Sequence, residues 1–282
     1  MGEFSAQWLS LREPVDHAAR SERVRDVMLA DVRKRHGDSL ADLRVLDLGC
    51  GSGSNLRALA PWLGDNQHWT LVDYDQDLLQ AAQAVLRDWA HEVVQTDAQT
   101  MVLRHGDAQI TVTCRKADLV SELPELLAQP VDLVTAAALF DLVSAPWVDR
   151  FVAHLAAPLY AVLSFDGHMS WLPEDPMDAA VTDAFSRHQQ QDKGFGQALG
   201  PQSSSYLAQA LLYQGFEIET DKSPWHVASL PSAFHDMLLQ GIANAGLELE
   251  AFSAAAMEQW LGSRAVAQRC IIGHDDLYAT KR

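Results

Sequence analysis

A short segment in the first quarter of the chain constrains the fold more than any other feature. Residues 45–48 form an apolar run around Asp47, and the run leads into a turn with glycine at positions 49, 51 and 53. Apolar side chains then recur with helical spacing over residues 56–63. A buried strand, a glycine turn and a helix N-terminus form a cradle for nucleotide-like ligands in α/β proteins. The segment therefore predicts an α/β fold with a ligand site at this turn.

The spacing of the glycines narrows the class of ligand. A dinucleotide fingerprint needs a glycine at position 54, where Ser54 stands, and a phosphate loop needs a lysine that this turn lacks. The pattern resembles motif I of the class I (Rossmann-like) S-adenosylmethionine (SAM)-dependent methyltransferases. The alternative is a plain turn between a strand and a helix. The resemblance implies that the cofactor SAM is bound by Asp47, Gly49, Cys50, Gly51 and Gly53.

A second match to this family follows at the end of the next predicted strand. Residues 69–72 form an apolar strand that ends in Asp73, Tyr74 and Asp75, and a helical pattern comes next. In the family, the acid at this position binds both ribose hydroxyls, so the resemblance implies that Asp73 binds SAM, with Tyr74 beside it. Asp75 is a candidate helix cap. The alternative is that both acids only cap the helix.

Three further predicted strands continue the family pattern. The third strand covers residues 109–114 and is followed by Asp118 and Leu119. The resemblance implies that these two residues hold the adenine, although a surface turn explains them almost as well. The fourth and fifth strands are predicted over residues 131–136 and 159–165, so that the resemblance covers residues 43–167 in the family order.

The whole chain is predicted to be one domain, residues 1–282. Its expected fold is a doubly wound, mostly parallel seven-stranded α/β sheet with helices on both faces and an antiparallel last strand. Residues 1–40 would form an N-terminal helical cap, and residues 41–167 the SAM-binding core. Residues 168–205 would be a substrate-side insertion after strand 5, and residues 206–282 would complete the sheet.

The cap and the insertion supply the candidate substrate-binding residues. A helical segment before the first strand often covers the cofactor site in this family, and Trp8, Arg12 and Glu13 would then face the pocket. Trp8 could equally pack on the core. The insertion contains a predicted helix over about residues 176–191. The candidate substrate-binding residues are Arg12, His188 and Lys193.

Composition and charge limit the class of partner. The chain has no apolar run long enough to span a bilayer and no secretory signal pattern, and its three cysteines lack metal-ligand spacing. These features predict a cytoplasmic protein. A formal net charge of −17 disfavours nucleic-acid and anionic membrane partners. The oligomeric state is left open.

The chemistry of SAM makes few demands on the protein, because its methyl group is already activated. The protein mainly has to position the acceptor and, in some reactions, to remove its proton. Asp141, predicted just past strand 4, and Asp166 and His168, predicted just past strand 5, are the catalytic candidates. His168 could act as a general base. No metal site is predicted, because residues 274–276 are expected to form a turn.

The sequence predicts methyl transfer from SAM to an O or N atom of a small-molecule metabolite. Residues 135–138 lack the proline-rich motif of enzymes that methylate amino groups of DNA or glutamine, and no Pro-Cys pair is present for cytosine chemistry. Two alternatives remain open. One is an aminopropyltransferase-like enzyme that uses decarboxylated SAM, and the other is a non-catalytic SAM-binding regulatory protein. A nicotinamide enzyme is disfavoured by Ser54.

Overall fold

The structure is a computed structural model that describes residues 5–37, 40, 42–97, 99–227 and 232–281. No helix within these ranges is long and apolar enough to cross a bilayer. The strands are β1 (Leu43–Leu48), β2 (Asn66–Asp73), β3 (Glu92–Thr96), β4 (Thr100–His105), β5 (Ala108–Lys116), β6 (Leu133–Ala137), β7 (Leu159–Leu172), β8 (Glu217–Lys222), β9 (Trp225–Val227) and β10 (Arg269–Thr280). The α-helices are α1 (Ala6–Ala19), α2 (Glu22–His36), α3 (Ser54–Leu59), α4 (Gln76–Trp89), α5 (Leu123–Leu127), α6 (Ala145–His154), α7 (Asp178–Gln189), α8 (Ser203–Tyr213), α9 (Ala233–Glu248) and α10 (Ala254–Ala265).

The strands form one sheet in the order β3-β4-β5-β2-β1-β6-β7-β10-β8, with β9 paired to β10. The strands β5, β2, β1, β6 and β7 are parallel to their neighbours in this part of the sheet, and β10 is antiparallel to both β7 and β8. These seven strands confirm the predicted doubly wound, mostly parallel α/β sheet with an antiparallel last strand. The hairpin β3–β4 and the short β9 are additional to the prediction.

Helices cover both faces of the sheet because the central strands are apolar on both sides. In β1, Val45 belongs to a buried cluster with Met28 of α2, and Leu46 belongs to a second cluster with Phe151 of α6. Strand order reverses at β1, since β2 lies on one side of it and β6 on the other. Ligands bind at such a switch point, outside the carboxyl ends of the strands.

A third apolar cluster lies beyond the central sheet and forms the cap. It joins the far end of β7, β9, α7, α9 and α10, with Trp8 of α1 packed against it. The predicted helices of the N-terminal cap and of the insertion are therefore present as α1, α2 and α7. The helices α9 and α10 pack on the cap, where α9 contacts α7 and α1.

The prediction that strand 5 ends at Phe165 is wrong, because β7 continues to Leu172. The extra residues pair with the beginning of β10, and Leu163 adopts a positive φ of 59° where the pairing register shifts. The carboxylate of Asp276 accepts the Leu163 backbone N–H at 2.8 Å and supports this irregularity. Asp166 and His168 therefore lie within the strand and not just past its end.

Candidate functional site

A cavity of about 410 Å³ lies at the carboxyl ends of the parallel strands, and we call it the main cavity. Four connections after β1, β2, β5 and β6 form its floor, as the switch-point rule predicts. Leu9 and Arg12 of α1 and residues 193–195 of the insertion form its other walls. The residues that these four connections contribute are Gly49, Gly51, Asp73, Tyr74, Asp75, Asp118, Leu119, Val120, Ala137, Ala138 and Leu139.

The glycine turn and the end of β2 are joined by one carboxylate. Asp73 is 6% exposed, and its two oxygens accept the backbone N–H groups of Gly51 at 2.9 Å and Asp75 at 3.0 Å. Gly51 has a φ of 52°, which favours glycine. Burial raises the pKa of Asp73. Each carboxylate oxygen has a further lone pair, so Asp73 can accept two more hydrogen bonds from a ligand.

Two predicted adenine-binding residues lie together after β5. Asp118 is exposed, and it accepts hydrogen bonds from the Val120 backbone N–H and the Ser121 hydroxyl, both at 2.8 Å. These bonds lower its pKa. Leu119 is buried, and its backbone carbonyl accepts a hydrogen bond from Trp147. Both residues line the main cavity, as does the exposed Tyr74.

Helix α1 covers the glycine turn and is held there by polar contacts. Glu13 forms an ion pair with the buried Arg57. The ring of His17 contacts the backbone carbonyl and the hydroxyl of Ser54, at 3.1 and 3.0 Å. Burial lowers the pKa of His17, so the imidazole is neutral in this contact at neutral pH. The sequence predicted that Glu13 faces the pocket, and the structure uses its carboxylate to hold α1 on α3.

A smaller cavity of about 50 Å³, which we call the polar recess, lies between α1 and the glycine turn. Asp47 is fully buried there, and its Oδ1 accepts a 2.8 Å hydrogen bond from Asn55. Its Oδ2 has no partner among the described residues, and burial raises its pKa to about 7. Arg20 donates to Asn55 at 2.7 Å, but its buried Nε has no partner in the same part of the structure. Cys50 also lines the recess, and burial raises the pKa of its thiol.

A third cavity of about 140 Å³, the aromatic compartment, lies on the cap side of the main cavity. Four aromatic side chains, Trp8, Phe165, Phe185 and Trp225, line it together with Asp141. Arg12 contributes to the walls of all three cavities. Arg12 and Asp141 thus both line the aromatic compartment, and Lys193 lines the main cavity.

Four of the predicted site residues lie outside the walls of these three cavities. Asp166 forms an ion pair with Lys222, with 2.9 Å between Oδ2 and Nζ, and His168 is exposed. His188 is bound through Nε2 to Glu248 of α9 at 2.8 Å, which joins α7 to α9. Gly53 is the residue before α3, and a Cβ there would face Ala82 and Leu71.

The expected turn at residues 274–276 is also wrong, because these residues lie inside β10. His274 is buried between Phe165 and Trp225, and burial lowers its pKa to about 4. Asp276 binds the backbone N–H groups of Leu163 and Ser21. The described residues contain no group of three or more His, Cys, Asp or Glu side chains suited to a metal ion.

Sequence reasoning missed most of the aromatic compartment. Phe165, Met169 and Phe185 come from β7 and α7, and Trp225 and Leu238 come from β9 and α9. These segments meet only in the folded chain, so local spacing carries no signal for them. The only sequence signal was that Trp171 and Trp225 occur among polar residues, which is typical of a binding site. Of these two, Trp225 lines the compartment.

One comparison with known proteins matches a stretch of the chain that contains part of the main cavity. Residues 45–115 match the family model described as "Methyltransferase domain". This stretch contains the glycine turn, Asp73 and all of β2. A search of curated proteins found no match.

Similar solved structures have low identity to the chain. The cyclopropane synthase MmaA2 from Mycobacterium tuberculosis has 14% identity and a TM-score of 0.48, with 98% of this chain and 95% of that chain covered. A SAM-dependent methyltransferase from Geobacter sulfurreducens has 15% identity and a TM-score of 0.45, with both chains fully covered at 100%. Magnesium protoporphyrin IX methyltransferase from Synechocystis PCC 6803 has 13% identity and a TM-score of 0.44, covering 99% of this chain and 87% of that one.

Proposed function

We propose that the chain, whose residues 45–115 match a methyltransferase domain, transfers the methyl group of SAM to an O or N atom of a small-molecule metabolite. SAM, when bound, supplies a methyl group on a positively charged sulfur, and the electron pair of the broken C–S bond stays on that sulfur. The protein has to hold the cofactor, orient the acceptor and exclude water. The three neighbouring cavities divide these tasks between them.

One observation carries the SAM-binding part of the proposal, namely two unpartnered polar atoms at the polar recess, one an acceptor and the other a donor. Asp47 Oδ2 and Arg20 Nε are both buried without a partner in the described structure. A buried unpaired polar atom is costly, so each atom calls for a ligand group. The ammonium and the carboxylate of an amino acid supply a donor for Asp47 and an acceptor for Arg20. The methionine end of SAM carries both groups.

The main cavity has the groups that the nucleoside end of SAM requires. Asp73 retains acceptor capacity for two ribose hydroxyls, and Gly49 and Gly51 bring the backbone close to the ligand. Asp118 offers a hydrogen-bond acceptor to the adenine, and Leu119 offers an apolar contact to its ring. We assign the cofactor to these residues, with Cys50 and Tyr74 beside it and Gly53 supporting the turn from behind.

The polar recess also helps to distinguish a methyltransferase from the two alternatives, an aminopropyltransferase-like enzyme and a SAM-binding regulatory protein. Decarboxylated SAM has no carboxylate, so an aminopropyltransferase-like enzyme would leave the Nε atom of Arg20 without a partner. A regulatory protein needs no second cavity, whereas the aromatic compartment adjoins the main cavity and contains the buried Asp141. Both features favour the methyltransferase.

The three cysteines are buried and free, and with the net charge of −17 they favour a cytoplasmic enzyme without nucleic-acid or membrane partners.

Calorimetric titration with SAM and S-adenosylhomocysteine tests the cofactor assignment. We expect binding in the micromolar range that Asp73→Ala and Gly51→Val each weaken by about tenfold or more, or about 1.4 kcal/mol. Gly106→Val is the matched control, because Gly106 also has a positive φ but lies in an exposed turn with open space around its Cα. Absence of binding by the wild type, or equal losses in all three variants, would contradict the assignment.

Turnover is tested separately with SAM that carries a labelled methyl group. Incubation with pools of small metabolites should transfer the label to at least one acceptor. A protein that binds SAM well and transfers the label to none would instead be a SAM-binding regulatory protein.

A further inference from the structure

The aromatic compartment is a separate cavity that adjoins the main cavity. The two cavities share Arg12, Ala138 and Leu142, so an occupant of the compartment would lie next to the cofactor. Its volume is about 140 Å³. A cavity of about 150 Å³ holds one benzene molecule, so the occupant is limited to roughly the size of a six-membered ring with a short substituent.

The walls of the compartment favour a positive charge. Trp8 and Trp225 lie 6.4 Å apart with their planes at 67°, and Phe165 and Phe185 lie 5.4 Å apart at 85°. Rings in such edge-to-face pairs present their negative faces in different directions. A cation within about 6 Å of such a face is attracted to it. The Arg12 guanidinium already lies 5.7 Å from the centroid of the Trp225 ring, so a ligand cation would be attracted mainly by the other three rings.

Among the described residues that line the compartment, Asp141 is the one with a buried side-chain atom that lacks a hydrogen-bond partner. The residue is 8% exposed, and its Oδ1 has no hydrogen-bond partner among the described residues. It follows β6 on a single turn of 3₁₀ helix over Phe140–Leu142. A buried acceptor without a partner is satisfied when a ligand brings a donor.

The remaining charges around the compartment cancel. Arg12 donates from Nε to Asp16 at 2.7 Å, and the other oxygen of Asp16 accepts the indole N–H of Trp225 at 2.9 Å. Burial holds the pKa of His274 at about 4, so this ring is neutral at neutral pH. Asp141 then leaves the compartment with an excess of one negative charge, and a ligand carboxylate would be repelled.

We propose that the aromatic compartment is the acceptor site of the methyltransferase and that it binds a compact organic amine in its ammonium form. The inference rests on the proposed function and narrows its acceptor from an O or N atom to an amine nitrogen. The aromatic faces bind the cation, and the Asp141 carboxylate accepts its N–H hydrogen bond.

The same carboxylate completes the proton balance. An ammonium nitrogen has no free electron pair, so it must lose one proton before it can be methylated. Asp141 takes this proton, and the electron pair of the broken N–H bond remains on nitrogen and forms the new N–C bond. Burial raises the pKa of Asp141 to about 6, which makes it a stronger base than an exposed aspartate.

The test compares three ligands that share one ring and differ in charge. The protein is loaded with S-adenosylhomocysteine, which cannot donate a methyl group, and titrated calorimetrically with cyclohexylamine, cyclohexanol and cyclohexanecarboxylate. We expect cyclohexylamine to bind about tenfold or more tightly than cyclohexanol, and the carboxylate to bind more weakly than both. Detection of N-methylcyclohexylamine after incubation with SAM would support the same conclusion by a second readout.

Two variants separate charge recognition from structural damage. Asp141→Asn should bring the affinities for the amine and the alcohol to within about threefold of each other. Asp107→Asn makes the same change in the exposed turn between β4 and β5 and should keep the preference. Phe185→Leu removes one aromatic face and should weaken amine binding by about threefold more than alcohol binding.

The outcomes distinguish this inference from the proposed function. If S-adenosylhomocysteine does not bind, the proposed function fails and the inference fails with it. If S-adenosylhomocysteine binds but cyclohexanol or the carboxylate binds as tightly as the amine, the inference alone is overturned. Failure of the amine to bind, or an unchanged preference in Asp141→Asn, overturns it equally.

Discussion

At the scale of single residues, burial determines how a carboxylate responds to pH. Asp141 is 8% exposed, and burial raises its pKa to about 6. The folded protein therefore binds this proton more tightly than the unfolded chain, where the pKa is about 4. The contribution of Asp141 to stability is present below about pH 4 and is lost as the pH rises through about 6.

Asp141→Asn removes this titration and should change how stability depends on pH. From about pH 5 to about pH 8, the free energy of unfolding of the variant should rise by about 1 kcal/mol relative to the wild type. Urea denaturation of the ligand-free protein at both pH values measures the difference. Asp107→Asn should show no such gain. A difference between Asp141→Asn and the wild type that stays constant with pH would contradict the buried, titrating carboxylate.

Arg20 allows a second test at this scale, because its proposed partner is a single group of the cofactor. Arg20→Gln should weaken SAM binding by about tenfold and binding of decarboxylated SAM by less than about twofold. The loss of the hydrogen bond to Asn55 would affect both ligands alike, so the difference between them isolates the carboxylate. Arg23→Gln, at an exposed arginine of α2, is the control. Equal losses of affinity for the two ligands would contradict the proposal that the SAM carboxylate binds Arg20 in the polar recess.

The sequence predicted the residues of the main cavity because they follow one another in short motifs. Gly49 and Gly51 lie in the turn after β1, Asp73 is the last residue of β2, and all three line the main cavity. Phe185 and Trp225 carry no comparable signal, since they are brought together by the packing of α7, α9 and β9 on α1. Asp141 was selected from its position after a strand, but its neighbours could be known only from the fold.

At the scale of secondary structure, α1 and α2 are held in different ways. Helix α2 buries Val24, Met28, Leu29 and Val32 in the central core, whereas the buried residues of α1 are Arg12 and Asp16. The side of α1 that faces the glycine turn is fixed by Glu13 and His17. Polar contacts exchange readily with water, so α1 should open more easily than α2.

Hydrogen exchange should therefore separate the two helices. On binding S-adenosylhomocysteine, amide exchange in α1 should slow by about tenfold or more, since the ligand adds contacts beneath Leu9 and Arg12. Exchange in α2 should change much less, which makes it an internal control. Mass spectrometry of peptic fragments from free and loaded protein measures both. Equal protection in the two helices would mean that α1 does not open independently.

The bounds of a helix or strand were predicted well where local sequence signals set them. They were predicted poorly where hydrogen bonds to a strand far along the chain set them. The C-terminus of α2 at Gly37 follows from the basic last turn and the glycine stop, and the structure has both. The extension of β7 to Leu172 depends on hydrogen bonds to β10, which begins almost a hundred residues later in the chain. The β3–β4 hairpin lies at the edge of the sheet, where short strands carry only a weak apolar alternation.

At the scale of the whole molecule, the apolar clusters explain how one chain forms both the main cavity and the aromatic compartment. Two clusters hold helices against the faces of the sheet and fix the strand ends. The third joins α1 to the cap. Arg12 lies where these parts meet and lines all three cavities, so the position of α1 affects the proposed cofactor site and the proposed acceptor site together.

The net charge of −17 acts over the whole surface and should favour entry of a cationic acceptor. Salt screens this attraction, because the Debye length falls from about 30 Å at 0.01 M to about 3 Å at 1 M. Over that range we expect the affinity of the S-adenosylhomocysteine complex for cyclohexylamine to fall by about threefold to tenfold. Cyclohexanol has no charge, so its affinity should stay the same or rise slightly as salt weakens its hydration. Calorimetry at both ionic strengths measures the two slopes, and equal slopes would show that surface charge plays no part in selecting the acceptor.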